Sequence, residues 1–130
     1  MPKAKRTRKN KYGVSDPGER RFNGRTYHSK TEMLYARELF HMRQADLIQD
    51  FVEQPQVALG IPENKYRPDF LVIQAEGQAF YVEISGYITA QKRRNLKLWA
   101  SYGWLDLCVV KRIGDKFVTT EVVHGQNSLS

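Results

Sequence analysis

Two strand-like segments, Tyr66 to Ile73 and Phe80 to Ile84, lie either side of Ala75-Glu76-Gly77. Strand-favouring residues fill both runs, and Gly77 supplies the left-handed conformation that a three-residue hairpin loop wants. With that loop Gln74 faces Gln78, and counting back along the strands sets Asp69 directly opposite Glu83. A two-residue Glu76-Gly77 turn is the alternative. It would set Asp69 opposite Ile84 and turn the two carboxylates to opposite faces of the sheet. In the first register Phe70, Val72, Val82 and Ile84 share the other face and read as core.

Two carboxylates directly opposite one another on paired strands repel unless something neutralises them. A hard divalent cation does so, because Mg²⁺ takes one or two carboxylates and keeps several waters. The plain alternative is a pair of solvated strand acids. Glu32 is a third acid to consider. Ser29-Lys30-Thr31-Glu32 opens a helix as a capping box, which is a sufficient structural role for Glu32. Its spacing to Tyr35 and Ala36 also puts it on the inward face of that helix, where it could serve as a ligand directly or through water.

The remaining elements follow from local signals. Asn23-Gly24 between Arg21-Phe22 and Arg25-Thr26-Tyr27 predicts a hairpin. The capped helix runs to about Gln44, with Tyr35, Ala36, Leu39, Phe40 and Arg43 along one face. Phe51-Val52 and Val57 to Leu59 read as short strands broken at Pro55. A second helix covers Ala90 to Tyr102, with Leu96, Trp99 and Ala100 on its apolar face. Leu105 to Val110 and Lys116 to Val123 are the last strands. The order is α, three β, α, β, preceded by a hairpin. It predicts an α/β fold with a mixed sheet flanked by helices. One domain over residues 14–125 is expected, with a frayed tail from 126 to 130.

Charge is concentrated rather than spread. Lys3, Lys5, Arg6, Arg8, Lys9 and Lys11 occupy residues 1–13 without an acid. Removing those six from 21 basic residues leaves fifteen against fourteen acidic ones, so the net +7 of the chain is carried almost wholly by this arm. Such a block is expected to be disordered alone and to seek phosphate without sequence preference; a generic solubilising or ribosome-associating tail is the other reading. A second basic cluster, Gln91 to Lys97, includes Lys92, Arg93, Arg94 and Lys97 and directly follows the Glu83 strand. It reads either as a grip on a nucleic-acid backbone or as a solvated helix face. The single cysteine, Cys108, lies in an apolar run and excludes an internal disulfide. His28, His41 and His124 are scattered, which argues against zinc and against a nucleophilic triad. No apolar stretch reaches the roughly 18–20 residues of a membrane helix. None follows the N-terminal charges as a secretory leader would, so a cytoplasmic location is expected.

Tyr66-Arg67-Pro68-Asp69-Phe70 followed by Glu83-Ile84-Ser85-Gly86 resembles the PD-(D/E)XK nuclease superfamily. The wider pattern is similar to a group of small phage-encoded nucleases within it, and to archaeal-type Holliday junction resolvases and the endonuclease subunit of some transposases. Its parts here are Asn23-Gly24, Ser29 to Glu32, Gln54-Pro55, Asp69 and Glu83, which span about residues 20–110. The resemblance implies a restriction-endonuclease-like αβββαβ core. It also implies Mg²⁺, with Mn²⁺ as a substitute, bound by Asp69 and Glu83, with Glu32 as the helix-borne acid. Hydrolysis of DNA phosphodiester bonds would follow without a covalent intermediate. Small size and the arm favour branched DNA, cut by a symmetric homodimer in the host cytoplasm if the chain is phage-encoded. A transposase-type nicking subunit and a non-catalytic binding module on a degenerate core are the competing readings.

One position departs from the resemblance. The lysine expected two residues after Glu83 is Ser85. A serine hydroxyl can hold a water but brings no charge. The positive partner then has to come from Lys92, near the start of the following helix, from Arg67, which pairs with Ser85 in the same register, or from Lys65. Arginine stays protonated and can stabilise charge but not act as a base. Lys92 is the preferred candidate, and the DNA contacts are assigned to the arm, Arg67, Arg93, Arg94 and Lys97.

Overall fold

A computed structural model describes residues 16–127. The arm residues Lys3, Lys5, Arg6, Arg8, Lys9 and Lys11 lie outside the described residues. The described residues group into two compact units, divided between His41 and Met42.

In the first unit a short 3₁₀ turn, Pro17–Arg20, leads into β1 (Arg21–Phe22) and β2 (Arg25–Thr26). Asn23 and Gly24 join them at φ 54° and 78°, the two left-handed positions that the Asn-Gly pair predicts. Helix α1 (Lys30–Gln44) begins as expected, with Ser29 Oγ accepting from the Glu32 N–H at 3.0 Å. Met33, Ala36 and Leu39 are buried at the helical spacing, and Glu32 is buried with them. Phe22 meets Phe40 edge to face at 5.6 Å.

The second unit is built on a five-stranded mixed sheet of β3 (Ile48–Glu53), β6 (Phe70–Gln74), β7 (Ala79–Ile84), β8 (Leu107–Ile113) and β9 (Lys116–Val123), in that spatial order. All neighbours are antiparallel except β7 and β8, which run parallel and are joined through helix α2 (Ala90–Tyr102). A separate pair, β4 (Val57–Ala58) and β5 (Lys65–Tyr66), lies between β3 and β6 in the chain. The chain is therefore α/β with a mixed sheet.

Several expected boundaries shift for identifiable reasons. The run from Tyr66 to Ile73 is not one strand. Pro68 has no N–H to give to a ladder, so Lys65-Tyr66 pairs with Val57-Ala58 and β6 starts at Phe70. Strand β8 begins at Leu107 instead of Leu105, because the Leu105 carbonyl accepts the Trp99 indole N–H at 2.8 Å. The end of the chain is tied down further than expected. Gln126 donates from its side chain to the carbonyls of Ala100 and Ser101, and the Asn127 N–H bonds to the Trp104 carbonyl. These bonds satisfy helix-terminal acceptors that would otherwise be orphaned. Residues 128–130 lie outside the described part. Among the described residues no helix is long and apolar enough to cross a membrane.

The register places Leu71 beside Tyr81, Tyr81 beside Leu107, and Glu83 beside Val109, so these residues share one face of the sheet. Helix α2 packs on that face: Leu96 and Trp99 form a buried cluster with Leu59, Leu107 and Val109. The other face carries Phe70, Val72 and Val82, buried as expected, and Ile84, which is only partly buried. Trp99 is 0% exposed. Helix α2 ends at Gly103, whose N–H bonds to the Trp99 carbonyl. A Cβ built on Gly103 would lie 2.5 Å from the Trp99 indole. Gly103→Ala is therefore expected to force the indole from its rotamer and cost about 1–3 kcal/mol of stability. Gly86→Ala, with nothing within 4 Å of its added Cβ, serves as the near-neutral control. Urea denaturation of both variants checks this, and equal midpoints would contradict it.

Candidate active site

The turn that decides the site is the three-residue loop. Gly77 sits at φ 97°, its N–H bonds to the Gln74 carbonyl, and the Gln74 N–H bonds to the Gln78 carbonyl. The ladder then runs Ile73 with Ala79, Val72 with Phe80, Leu71 with Tyr81 and Phe70 with Val82. The next pair in that register is Asp69 with Glu83, as the sequence predicts.

The ladder ends at that pair in a particular way. Gln74 and Gln78, and every second pair after them, are the hydrogen-bonded ones, so the next after Phe70 and Val82 would be Pro68 and Ile84. Instead Asp69 Oδ2 accepts from the Ile84 N–H at 2.7 Å. The Asp69 backbone is fixed from the other side. Its carbonyl accepts from the Gln54 N–H at 2.9 Å, and Gln54 is held at φ 49°, a conformation costly for a residue with a Cβ.

Glu83 is 8% exposed, on the face that α2 covers. Its Oε2 accepts from the Tyr66 hydroxyl at 2.9 Å, and its Oε1 lies 3.7 Å from the Lys92 ammonium. Lys92 reaches there from the first turn of α2, where Thr89 caps the helix and its hydroxyl accepts from the Lys92 N–H at 3.1 Å. The same ammonium donates to Ser85 Oγ at 3.2 Å, and Ser85 donates onward to the Tyr87 carbonyl at 2.7 Å. Asp69, Glu83, Ser85 and Lys92 therefore gather at the C-terminal end of β7, where open α/β sheets commonly bind ligands.

Burial is the main cause that pushes the Tyr66 phenol well above its usual range. The charge of Glu83, its hydrogen bond, and the charge of Asp69 add to the effect. The potential at the phenol is thus negative, with contributions from both carboxylates. The two carboxylates could hold Mg²⁺, which needs few protein carboxylates and takes the rest of its shell from water or phosphate. Among the described residues no three Asp, Glu, His or Cys side chains gather into a ready ligand cluster. Glu32 stands in the first unit, 4% exposed, with its Oε2 3.9 Å from His28 Nδ1.

The expected phosphate contacts divide. Arg93 Nη1 donates to both carboxylate oxygens of Glu121, at 3.1 and 3.0 Å, so this cation is engaged on β9. Arg67 donates to Gln56 Oε1 at 3.3 Å; it lies outside β6, so the register that would pair it with Ser85 does not reach it. Arg94 and Lys97 are exposed on α2. Two contributors escaped the sequence reading. Tyr66 was read only as the start of a strand, and the Pro68 break hides its approach to Glu83. Thr89 carried a usable signal, a threonine immediately before a helical pattern.

A Tyr66 phenol that stays protonated in the fold ties stability to alkaline pH. The unfolded phenol ionises near its ordinary value of 10.0 while the folded one does not. Its contribution is fully present below that value and falls progressively as pH rises above it toward the raised folded value. Wild type should lose stability between about pH 9 and pH 11, and Tyr66→Phe should lose measurably less across the same window. Tyr81 and Cys108, both also pushed up by burial, add to the slope. Urea midpoints at both ends of the window check this, and parallel slopes for the two proteins would refute it. No protein-family model matches the chain, and no curated protein sequence matches it either.

Proposed function

We propose that the protein is a metal-dependent endonuclease that hydrolyses phosphodiester bonds in branched DNA, on a restriction-endonuclease-like core. The observation that carries this reading is the contact of Lys92 with both Glu83 and Ser85. Ser85 stands where the resemblance calls for a lysine, and an ammonium from α2 lies 3.2 Å from its hydroxyl. The cation that the chemistry needs beside the carboxylate pair thus arrives from the helix instead of the strand.

Asp69 and Glu83 would hold Mg²⁺, or Mn²⁺ in its place, which supplies a lowered pKa to a bound water and polarises the phosphate. The chain's own groups do the rest. The Ile84 N–H fixes the Asp69 carboxylate and the Tyr66 hydroxyl fixes that of Glu83, so neither has to reorganise when substrate arrives. Lys92 sets a positive charge where negative charge develops on the phosphate during in-line attack. Ser85 positions that ammonium by accepting from it and is itself locked by donating to the Tyr87 carbonyl. Arg94 and Lys97 extend the positive surface along α2 toward neighbouring phosphates. Cutting both strands of a junction requires two such sites, which a homodimer provides. The setting we propose is the cytoplasm of the host cell.

Four-way junction, flap and linear duplex DNA, each with Mg²⁺, form the test. Asp69→Asn should abolish cleavage, and Lys92→Ala should lower kcat by about 10²–10³ while leaving DNA affinity within a few-fold. The double variant Ser85→Lys, Lys92→Ala should recover part of the lost rate by returning a lysine to the strand. Binding without metal-dependent cleavage of any substrate would leave a non-catalytic module. Cleavage indifferent to Asp69→Asn would remove the assigned site.

A further inference from the structure

Tyr87 is 79% exposed, more than any other large apolar residue among those described. An aromatic ring left in water forgoes much of the stabilisation that burial gives. Its place in the chain is specific. Residues 85–89 join the strand that carries Glu83 to the helix that carries Lys92. The backbone of this connection is held at several points. Ser85 Oγ donates to the Tyr87 carbonyl at 2.7 Å and accepts from Lys92 at 3.2 Å. Ile88 packs against the Trp99 cluster, and Thr89 caps α2. Tyr87 is thus a solvent-facing residue on a fixed backbone, whose carbonyl is one hydroxyl away from the ammonium beside Glu83.

We infer that Tyr87 stacks on an unstacked nucleobase next to the scissile phosphate and so selects DNA whose base stack is interrupted there. This rests on the nuclease reading above and narrows its substrate. Intact duplex DNA offers groove edges and phosphates to a protein, while its base faces are covered by their neighbours. A ring face gains a partner only where a base has left the stack, at a flap, a junction or a single-stranded end. Such stacking tolerates any base, because every base has a π-face. Tyr87 therefore reads structure and not sequence.

The experiment compares wild type, Tyr87→Ala and Tyr87→Phe on flap and linear duplex DNA with the same sequence around the cut. Tyr87→Ala should raise KM on the flap about ten- to hundredfold with kcat little changed, and should leave the duplex rate as it was. Tyr87→Phe keeps the ring and should restore the flap value. In an Asp69→Asn background, a 2-aminopurine beside the scissile phosphate should be quenched on binding by the protein with Tyr87 and not by the alanine variant. The exposed position makes a folding defect improbable as a cause, and an unchanged urea midpoint checks that. Wild-type cleavage with equal effects of Tyr87→Ala on flap and duplex would overturn this inference and leave the nuclease reading standing. A change of oligomeric state by light scattering, with no change in quenching, would assign the ring to a second copy of the chain instead. Absence of cleavage by wild type on every substrate would remove both.

Discussion

Between ring centres, the Trp99 indole lies 6.0 Å from Tyr66 and 5.0 Å from Tyr81, both edge to face. Its N–H is satisfied by the Leu105 carbonyl, so the whole residue can be buried without leaving a polar atom stranded. These contacts hold α2 across β7 and β8, and they orient Tyr66 toward Glu83. Aromatic pairs of this geometry contribute about 0.5–1.5 kcal/mol each beyond the area they bury. The larger effect is positional. One side chain sets where the helix starts relative to the strand, and so where Lys92 can reach. The core and the site are mechanically the same object here.

Electrostatics works against that object and has to be offset locally. Continued one residue past Phe70 and Val82, the register sets Asp69 against Glu83 at a position without paired backbone hydrogen bonds, the kind in which side chains approach most closely. Each is restrained by a donor from its own neighbourhood: Ile84 for Asp69, Tyr66 for Glu83. Hydrogen bonds to charged acceptors contribute about 1.5–3 kcal/mol, more than neutral ones. They stabilise each carboxylate where it stands without removing the repulsion between them. A fold indifferent to charge at this point would place apolar residues there, as it does at Val72 and Val82 on the opposite face. Here it keeps two acids instead, each held by its own donor.

The hairpin register was readable because it rests on one loop. Gly77 fixed the loop length, and loop length fixed which residue faces which. The α1 cap, the Asn23-Gly24 turn and the limits of α2 were readable for the same reason, since each depends on one or two residues with strong local preferences. What could not be read depends on partners distant in the chain. Pro68 signals a break, but only the pairing of Lys65-Tyr66 with Val57-Ala58 shows where the chain goes after it. The engagement of Arg93 by Glu121 spans 28 residues and leaves no periodic trace. Tyr66 and Glu83 are 17 residues apart, and neither residue type announces the other.

Lys92 combines both kinds of legibility. As the third residue of α2 it sits in the turn where the helix dipole favours acids, and that turn has none. A cation there costs about 0.3–1 kcal/mol when exposed. The cost is local, and propensity alone would remove it. It is offset by the Glu83 carboxylate and the Ser85 hydroxyl, neither of which belongs to the helix. Thr89 fixes the first turn by taking the Lys92 N–H, so the lysine stem leaves the helix in a set direction. Lys92 thus has three supports: a cap that sets its origin, a carboxylate that draws its charge, and a hydroxyl that accepts from its ammonium. The carboxylate comes from β7, and the hydroxyl and the cap come from the two ends of the connection that leads to α2. Residues that break a local preference and are supported from several elements at once are where a fold carries a functional demand.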